Sequence, residues 1–247
     1  MRKLDAPFNR GLAWYRYKSL EEEFISATKY FPFEKKHSQI WSEFFSDLLT
    51  KIGNSVDSFF RNMLKDTMFD SFPNVIALRE TEKTKKRNKD INYFRDFFEP
   101  IYQFSGAEVD IAYGLTFYDS KYRPFGEFET NQVPIWWNAY NHVKHTWFDC
   151  IEEATLENVV ASLGGLFLLN ILHKESQEYL IKYQDVMVRD FQTSLTQREV
   201  LKLMKESIIG IPNRWNSFNF RARTPLFTHT FRVDTNSPFA EWFKPVA

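Results

Sequence analysis

The sequence predicts an all-α fold, a helical bundle with an aromatic-rich core that ends in an extended or small hairpin-forming C-terminal arm. Three observations carry this prediction. Apolar residues recur at helical spacing over residues 38–64 and again over 154–172. Glycine is scarce, at 8 of 247 residues, which leaves few positive-φ turns for a many-stranded fold. Aromatic residues make up 18% of the chain, so rings must fill much of the interior.

The expected organisation is an irregular aromatic segment over 1–36, a helical bundle over 37–208 and an extended arm over 209–247. Pro32 keeps the YFPFEKKH stretch out of a helix interior. From Ser38 the pattern changes. Ile40, Trp41, Phe44, Phe45, Leu48, Leu49, Ile52, Val56, Phe59, Phe60, Met63 and Leu64 form one helical stripe, with Ser38 as its N-cap and Gly53-Asn54 as a bend. RETEKTKKRNKD (79–90) has no apolar period and reads as a solvated loop, after which Asp90 caps the helix INYFRDFFEPIY. Residues 103–133 read as a long connection with a short extended piece.

Pro134 suits the first turn of the next helix. A further helix starts near Glu152 and runs through ATLENVVASLGGLFLL, where Ala161, Ser162, Gly164 and Gly165 admit a close neighbour. SQEYLIKYQDVMV is expected to continue as helix, and TQREVLKLMKES opens with the capping-box pair Thr196 and Glu199. The arm, NSFNFRARTPLFTHTFRVDT, alternates in part around Pro225. About five or six helices result.

Composition excludes several function classes. Formal net charge is zero, which argues against binding nucleic acid or anionic lipid over the whole surface, though not against a local basic patch. Cys150 is the single cysteine, so neither an intrachain disulfide nor a cysteine-based zinc site is expected. MRKLDAPFNRGLAWYRYK lacks the apolar region of a signal peptide, and VVASLGGLFLLNIL is too short to span a bilayer. A cytoplasmic protein that does not enter membranes is expected.

The densest chemistry lies in WWNAYNHVKHTWFD, residues 136–149. On a helix turning about 100° per residue, Trp136, Tyr140, Val143 and Trp147 form one apolar stripe. Asn141, Lys144 and His145 then cluster on its flank, rimmed by Trp137 and Phe148. An imidazole moves protons near neutral pH, Lys and Asn can hold and orient a phosphate, and rings such as Trp137 can stack on a base. His142, His145 and Asp149 also converge within a turn and could face a divalent metal. No E-x-x-H or H-E-x-x-H on another helix completes such a site, so no metal and no cofactor are expected.

These residues resemble the HEPN superfamily of helical proteins. The resemblance spans residues 38–172 and rests on the long first helix, on N-x-x-K-H (Asn141 to His145), and on the A-T-L-x-N and ASLGGLFLL that follow. It implies a helical bundle, a homodimer with its cleft between two copies, and metal-independent RNA cleavage in which the 2′-hydroxyl attacks. It also implies a place in antiviral defence or a toxin–antitoxin system. The family signature is Arg and a polar residue, four to six further residues, then His. No Arg occupies that window before His145, so Lys144, or Arg61 from the first helix, is expected to supply the cation. His145 would be the general acid/base, with Asn141 and Lys144 on phosphate or ribose.

Lys83, Lys85, Lys86, Arg87 and Lys89 in the basic segment are candidate contacts to RNA phosphates. Arg223 and His229 have the family spacing, but Pro225 lies between them in a segment that does not read as helix. The alternative is a non-enzymatic interaction module that binds a protein partner through its aromatic surface and C-terminal arm.

Overall fold

Seven α-helices and one antiparallel four-stranded sheet account for the regular structure of the described residues. The computed structural model describes residues 10–31, 33–65, 69–70, 72–84, 88–111, 122–173, 176, 180, 186–188 and 217–234. The described residues are predominantly helical, as predicted, and their interior is a continuous cluster of rings and aliphatic side chains.

Helix α1 (Arg10–Ala27) lies inside the segment expected to be irregular. Trp14, Tyr17, Leu20 and Phe24 are buried in the common core, and the carboxylate of Glu21 is buried among them. Helix α2 (Glu43–Met63) carries the predicted stripe from Phe45 to Met63. Its N-cap is Ser42, whose hydroxyl accepts from the Phe45 N–H at 3.1 Å. Ser38 is displaced from that role because residues 38–41 run along the start of a later helix. Glu157 N–H donates to Ser38 O, Leu156 N–H donates to Ile40 O, and Trp41 bridges to Thr155.

Helix α3 (Pro73–Thr84) covers part of the segment predicted as loop. Pro73 pre-sets the first turn, and Ala, Leu, Arg, Glu and Lys sustain a helix in which Val75 alone is buried among the side chains described. Helix α4 (Ile91–Tyr102) starts at the predicted cap, the Asp90 side chain accepting from Tyr93 N–H at 3.0 Å. Its Phe94 and Phe98 stack on Phe60 of α2, with centroids at 4.9 and 5.6 Å.

Helices α5 (Ile135–His145) and α6 (Trp147–Cys150) are followed by a 3₁₀ turn, Ile151–Glu153, and then by α7 (Leu156–Leu172). Thr155 caps α7 by accepting from Asn158 N–H. Every residue from Val159 to Leu172 is buried, with α1, α2 and α5 packed around it. Gly165 makes room for Phe125 and Trp136, and a Cβ there would lie 3.1 and 3.2 Å from their rings. No helix among the described residues is long and apolar enough to cross a membrane.

The sheet order is β1 (Asp110–Ile111), β4 (Phe227–Asp234), β3 (Ser217–Arg223), β2 (Val186–Val188), all neighbours antiparallel. The described part of the C-terminal arm, residues 217–234, is therefore a hairpin, β3 to β4, turning at Thr224–Leu226 around Pro225. It docks on the bundle, with Phe227 stacked on Phe167 of α7 at 5.7 Å. Ser176 and Leu180 are helical, but Val186–Val188 pairs with β3 and is not the predicted continuation of helix. Two β-branched residues suit that strand. TQREVLKLMKES, with its Thr196 and Glu199, lies outside the described residues.

Candidate functional site

Helix α5 buries a wider face than the predicted stripe. Trp136, Tyr140 and Val143 face the core as expected, and so do Trp137 and Ala139. Trp136 Nε1 donates to Pro124 O at 2.7 Å. Trp137 is only 4% exposed, with its ring edge-on to Trp136 and Tyr140, so it presents no face on which a base could stack. Helix α5 stops after His145, because Thr146 leaves helical geometry at φ −137. Trp147 consequently falls off the stripe onto α6, half-exposed, with its Nε1 donating to Ser46 Oγ of α2 at 2.8 Å. Phe148 beside it is 91% exposed.

One flank of α5 reaches α2. Lys144 Nζ donates to Tyr140 Oη at 2.8 Å and lies 3.2 Å from Asn54 Oδ1, which also accepts from Tyr140 Oη at 2.8 Å. The ammonium sits 5.1 Å from the Tyr140 ring centroid. Two turns along α2, Arg61 Nε donates to Asp57 Oδ2 at 2.7 Å and its Nη2 donates to Lys89 O at 3.0 Å. The hydrogen bond to Asp57 holds this guanidinium above its ordinary range, and Tyr140 contributes to the same effect. Asn141 is half-buried and His145 exposed, and neither side chain makes a hydrogen bond among the described residues.

The end of the basic segment meets this seam at Lys89. Lys89, Lys65 and Arg79 line an open groove of about 330 Å³ floored by Leu64, Tyr93 and Phe97. Asp70 also lines it and pairs with Arg79 at 2.7 Å. Lys144, Arg61, Lys89 and Lys65 thus follow one another along α2. Asn54 and Lys65 are eleven residues apart, which on a helix is about 16 Å. Of the other predicted phosphate contacts, Lys83 belongs to α3, while Lys85, Lys86 and Arg87 lie outside the described residues. Lys89 was among the predicted contacts, whereas sequence reasoning missed Asn54, Lys65 and Arg79, because only the packing of α2 against α3, α4 and α5 brings them beside it.

The other flank holds a second cluster. His142 is two residues from Lys144, about 200° round the helix, and so points the opposite way. Its Nδ1 lies 2.9 Å from Glu153 Oε2 and 3.0 Å from Oε1. Cys150 Sγ lies beside them, 3.3 Å from Thr146 Oγ1. Donor atoms of His142, Cys150 and Glu153 are all within 4.8 Å of one another. Of the trio considered from sequence, His142 alone belongs to this cluster, and Cys150 and Glu153 stand where His145 and Asp149 were expected.

The hairpin holds the remaining histidine of interest. His229 is buried, with its Nδ1 on the carbonyl of Glu108, and burial pushes its pKa down to about 4. Arg223 is exposed on the preceding strand, so these two residues form no exposed pair. Comparison with family models, curated proteins and solved structures gave no match to this chain.

Proposed function

We propose that this chain is a HEPN-like protein that binds and cleaves RNA, working as a cytoplasmic homodimer in prokaryotic antiviral defence or a toxin–antitoxin system. The observation that supports this reading is the row of cations along α2: Lys144, Arg61, Lys89 and Lys65, with His145 exposed one position beyond Lys144. A row of this length matches a few successive phosphates of a single strand and supplies the sequence-independent part of RNA affinity. His145 takes the proton from a 2′-hydroxyl as it attacks the adjacent phosphorus and returns one to the departing 5′-oxygen. Lys144 meets the charge that builds on the phosphate, in the place of the family's arginine, and Asn141 orients the ribose. With Trp137 buried, Phe148 is the ring left to stack on a base.

The test is RNA degradation in EDTA by the full chain and by His145→Ala. Cleavage that His145→Ala abolishes is the expected result. Equal rates remove His145 from the chemistry, and retention of RNA without cleavage restricts the function to binding. A second reading, a non-enzymatic partner-binding module, rests on the exposed ring pair Trp147 and Phe148, with centroids 5.2 Å apart. That reading rests on these rings and not on the described hairpin, whose Ala222, Leu226 and Phe227 are buried. Absence of any RNA retention would favour it.

A further inference from the structure

We infer that His142, Cys150 and Glu153 bind a zinc ion at the junction between α5 and the 3₁₀ turn before α7. The three side chains offer one imidazole nitrogen, one thiolate and one carboxylate. That mixture of soft and borderline donors favours Zn²⁺ over Mg²⁺ or Ca²⁺, which take oxygen ligands. This is a different frame from the multi-cysteine sites that a single cysteine excludes.

The geometry is close to what the ion requires. Zn–N and Zn–O bonds of about 2.0–2.2 Å and a Zn–S bond of about 2.3 Å set tetrahedral ligand atoms roughly 3.3–3.7 Å apart. The donor atoms already lie within 4.8 Å of one another, with the imidazole and carboxylate at 2.9 Å. Rotamer adjustments of about an ångström close the set, and the exposed His142 and half-exposed Cys150 and Glu153 leave a fourth position open to water.

The surroundings hold the ligands in place. Thr146 Oγ1 lies 2.9 Å from His142 O and 3.3 Å from Cys150 Sγ, so it can donate to the sulfur once the thiol has released its proton to solvent. Asn158 Nδ2 donates to Glu153 O at 2.9 Å and anchors that ligand to the first turn of α7. The bound ion would tie the C-terminal end of α5 to the start of the central helix. It lies on the flank of α5 opposite Lys144, so this inference stands apart from the RNA reading and takes no part in the chemistry proposed there.

The experiment is a titration of the full-length, chelator-treated protein with Co²⁺, followed by Zn²⁺. Expected are a thiolate-to-cobalt charge-transfer band, visible bands of tetrahedral intensity, and loss of both when one equivalent of Zn²⁺ is added. Zn²⁺ should also raise Tm. Cys150→Ser should remove the charge-transfer band. His142→Ala and Glu153→Gln should each weaken binding by more than the ~10- to 100-fold that loss of a supporting group costs. Asp149→Asn, an exposed carboxylate outside the cluster, should bind as the wild type does. The inference is overturned if the wild type shows no charge-transfer band. It is equally overturned if His142→Ala and Glu153→Gln bind Co²⁺ with wild-type affinity, which would mean that the thiol acts alone. Both outcomes are read from spectra, independently of any RNA activity.

Discussion

The carboxylate of Glu21, on α1, accepts a hydrogen bond from Thr224 Oγ1 in the hairpin turn, 203 residues away in the chain. Tyr17 Oη donates to the same oxygen at 2.8 Å and Leu226 N–H at 3.0 Å. A buried acid with three donors is thus the polar clasp between the first helix and the C-terminal hairpin. Glu21→Ala would take the acceptor from Leu226 N–H and leave Tyr17 Oη and Thr224 Oγ1 only their 3.1 Å contact with each other and the longer one from Thr224 Oγ1 to Phe227 O. The expected cost is about 1–3 kcal/mol in urea unfolding, the desolvation penalty of unmade hydrogen bonds, and an unchanged midpoint would refute the clasp.

Burial raises the pKa of Glu21 above the usual glutamate range, despite the hydrogen bonds that oppose the rise. The folded state therefore keeps a proton that the unfolded chain has released. Glu21's contribution is full below the ordinary glutamate pKa and is lost as pH rises through the folded value. Wild type should accordingly lose stability relative to Glu21→Gln between acidic and neutral pH. A difference that does not vary with pH would contradict this.

His229 acts in the opposite sense. Burial holds its folded pKa near 4, against 6.5 for a free histidine, and a carbonyl partner requires Nδ1 to carry the proton of the neutral ring. The unfolded chain binds a proton first as pH falls. Stability from this residue is present above 6.5 and is lost as pH drops towards 4, by ~3 kcal/mol over the interval. His229→Asn keeps an N–H for Glu108 O and should flatten the acid limb of a stability–pH curve by a comparable amount. Parallel curves would place the titration elsewhere.

Gly53 sets the distance between α2 and α5. A Cβ there would lie 2.3 Å from Cδ2 of Tyr140, whose ring is buried and whose hydroxyl is held by Asn54 and Lys144. Alanine in a helix interior is ordinarily worth about 1 kcal/mol over glycine. Gly53→Ala should instead destabilise by ~1–3 kcal/mol, since the ring must shift to admit it. A stabilised variant in thermal unfolding would show that the two helices are free to move apart.

What the sequence reveals and conceals follows from which contacts are local. The stripe of α2 was legible because Phe45 to Met63 repeat one buried face. Its cap was misplaced by four residues because the pairing of 38–41 with the start of α7 is a tertiary event. Helix α1 was hidden by Glu21, a carboxylate at a position of the apolar face whose partner Thr224 lies at the other end of the chain. Val186–Val188 read as helix because the strand that pairs with it begins at Ser217. Trp137 was placed at the rim of Asn141, Lys144 and His145, but the core claims it, because its ring packs edge-on to Trp136 and Tyr140. The donor set of His142, Cys150 and Glu153 was invisible because a break at Thr146 alters the phase on which helical spacing depends.

The last prediction separates the cations along α2 by role. Lys144 adjoins His145 in sequence, and its removal leaves Tyr140 and Asn54 bonded to each other, so the seam should stay packed. Lys144→Ala should then lower RNA turnover by roughly 10²- to 10³-fold, the loss seen when one donor to a developing oxyanion is removed. Arg61 is tied to Asp57 and to Lys89 O, and it must leave one of them to meet a phosphate. Arg61→Ala should cut turnover similarly if it does so, and circular dichroism must show that α2 is intact. Lys65 lines the groove beyond Arg61, about 16 Å along the helix direction from Asn54, where Lys144 docks. Lys65→Ala should leave the rate at saturating RNA unchanged, weaken binding to every sequence alike, and lower the log–log salt slope by about 0.7, the value for one single-strand phosphate contact. If Lys144→Ala and Arg61→Ala both keep full turnover, the row of cations is only a solvated surface, and His145 is a histidine on a structural helix.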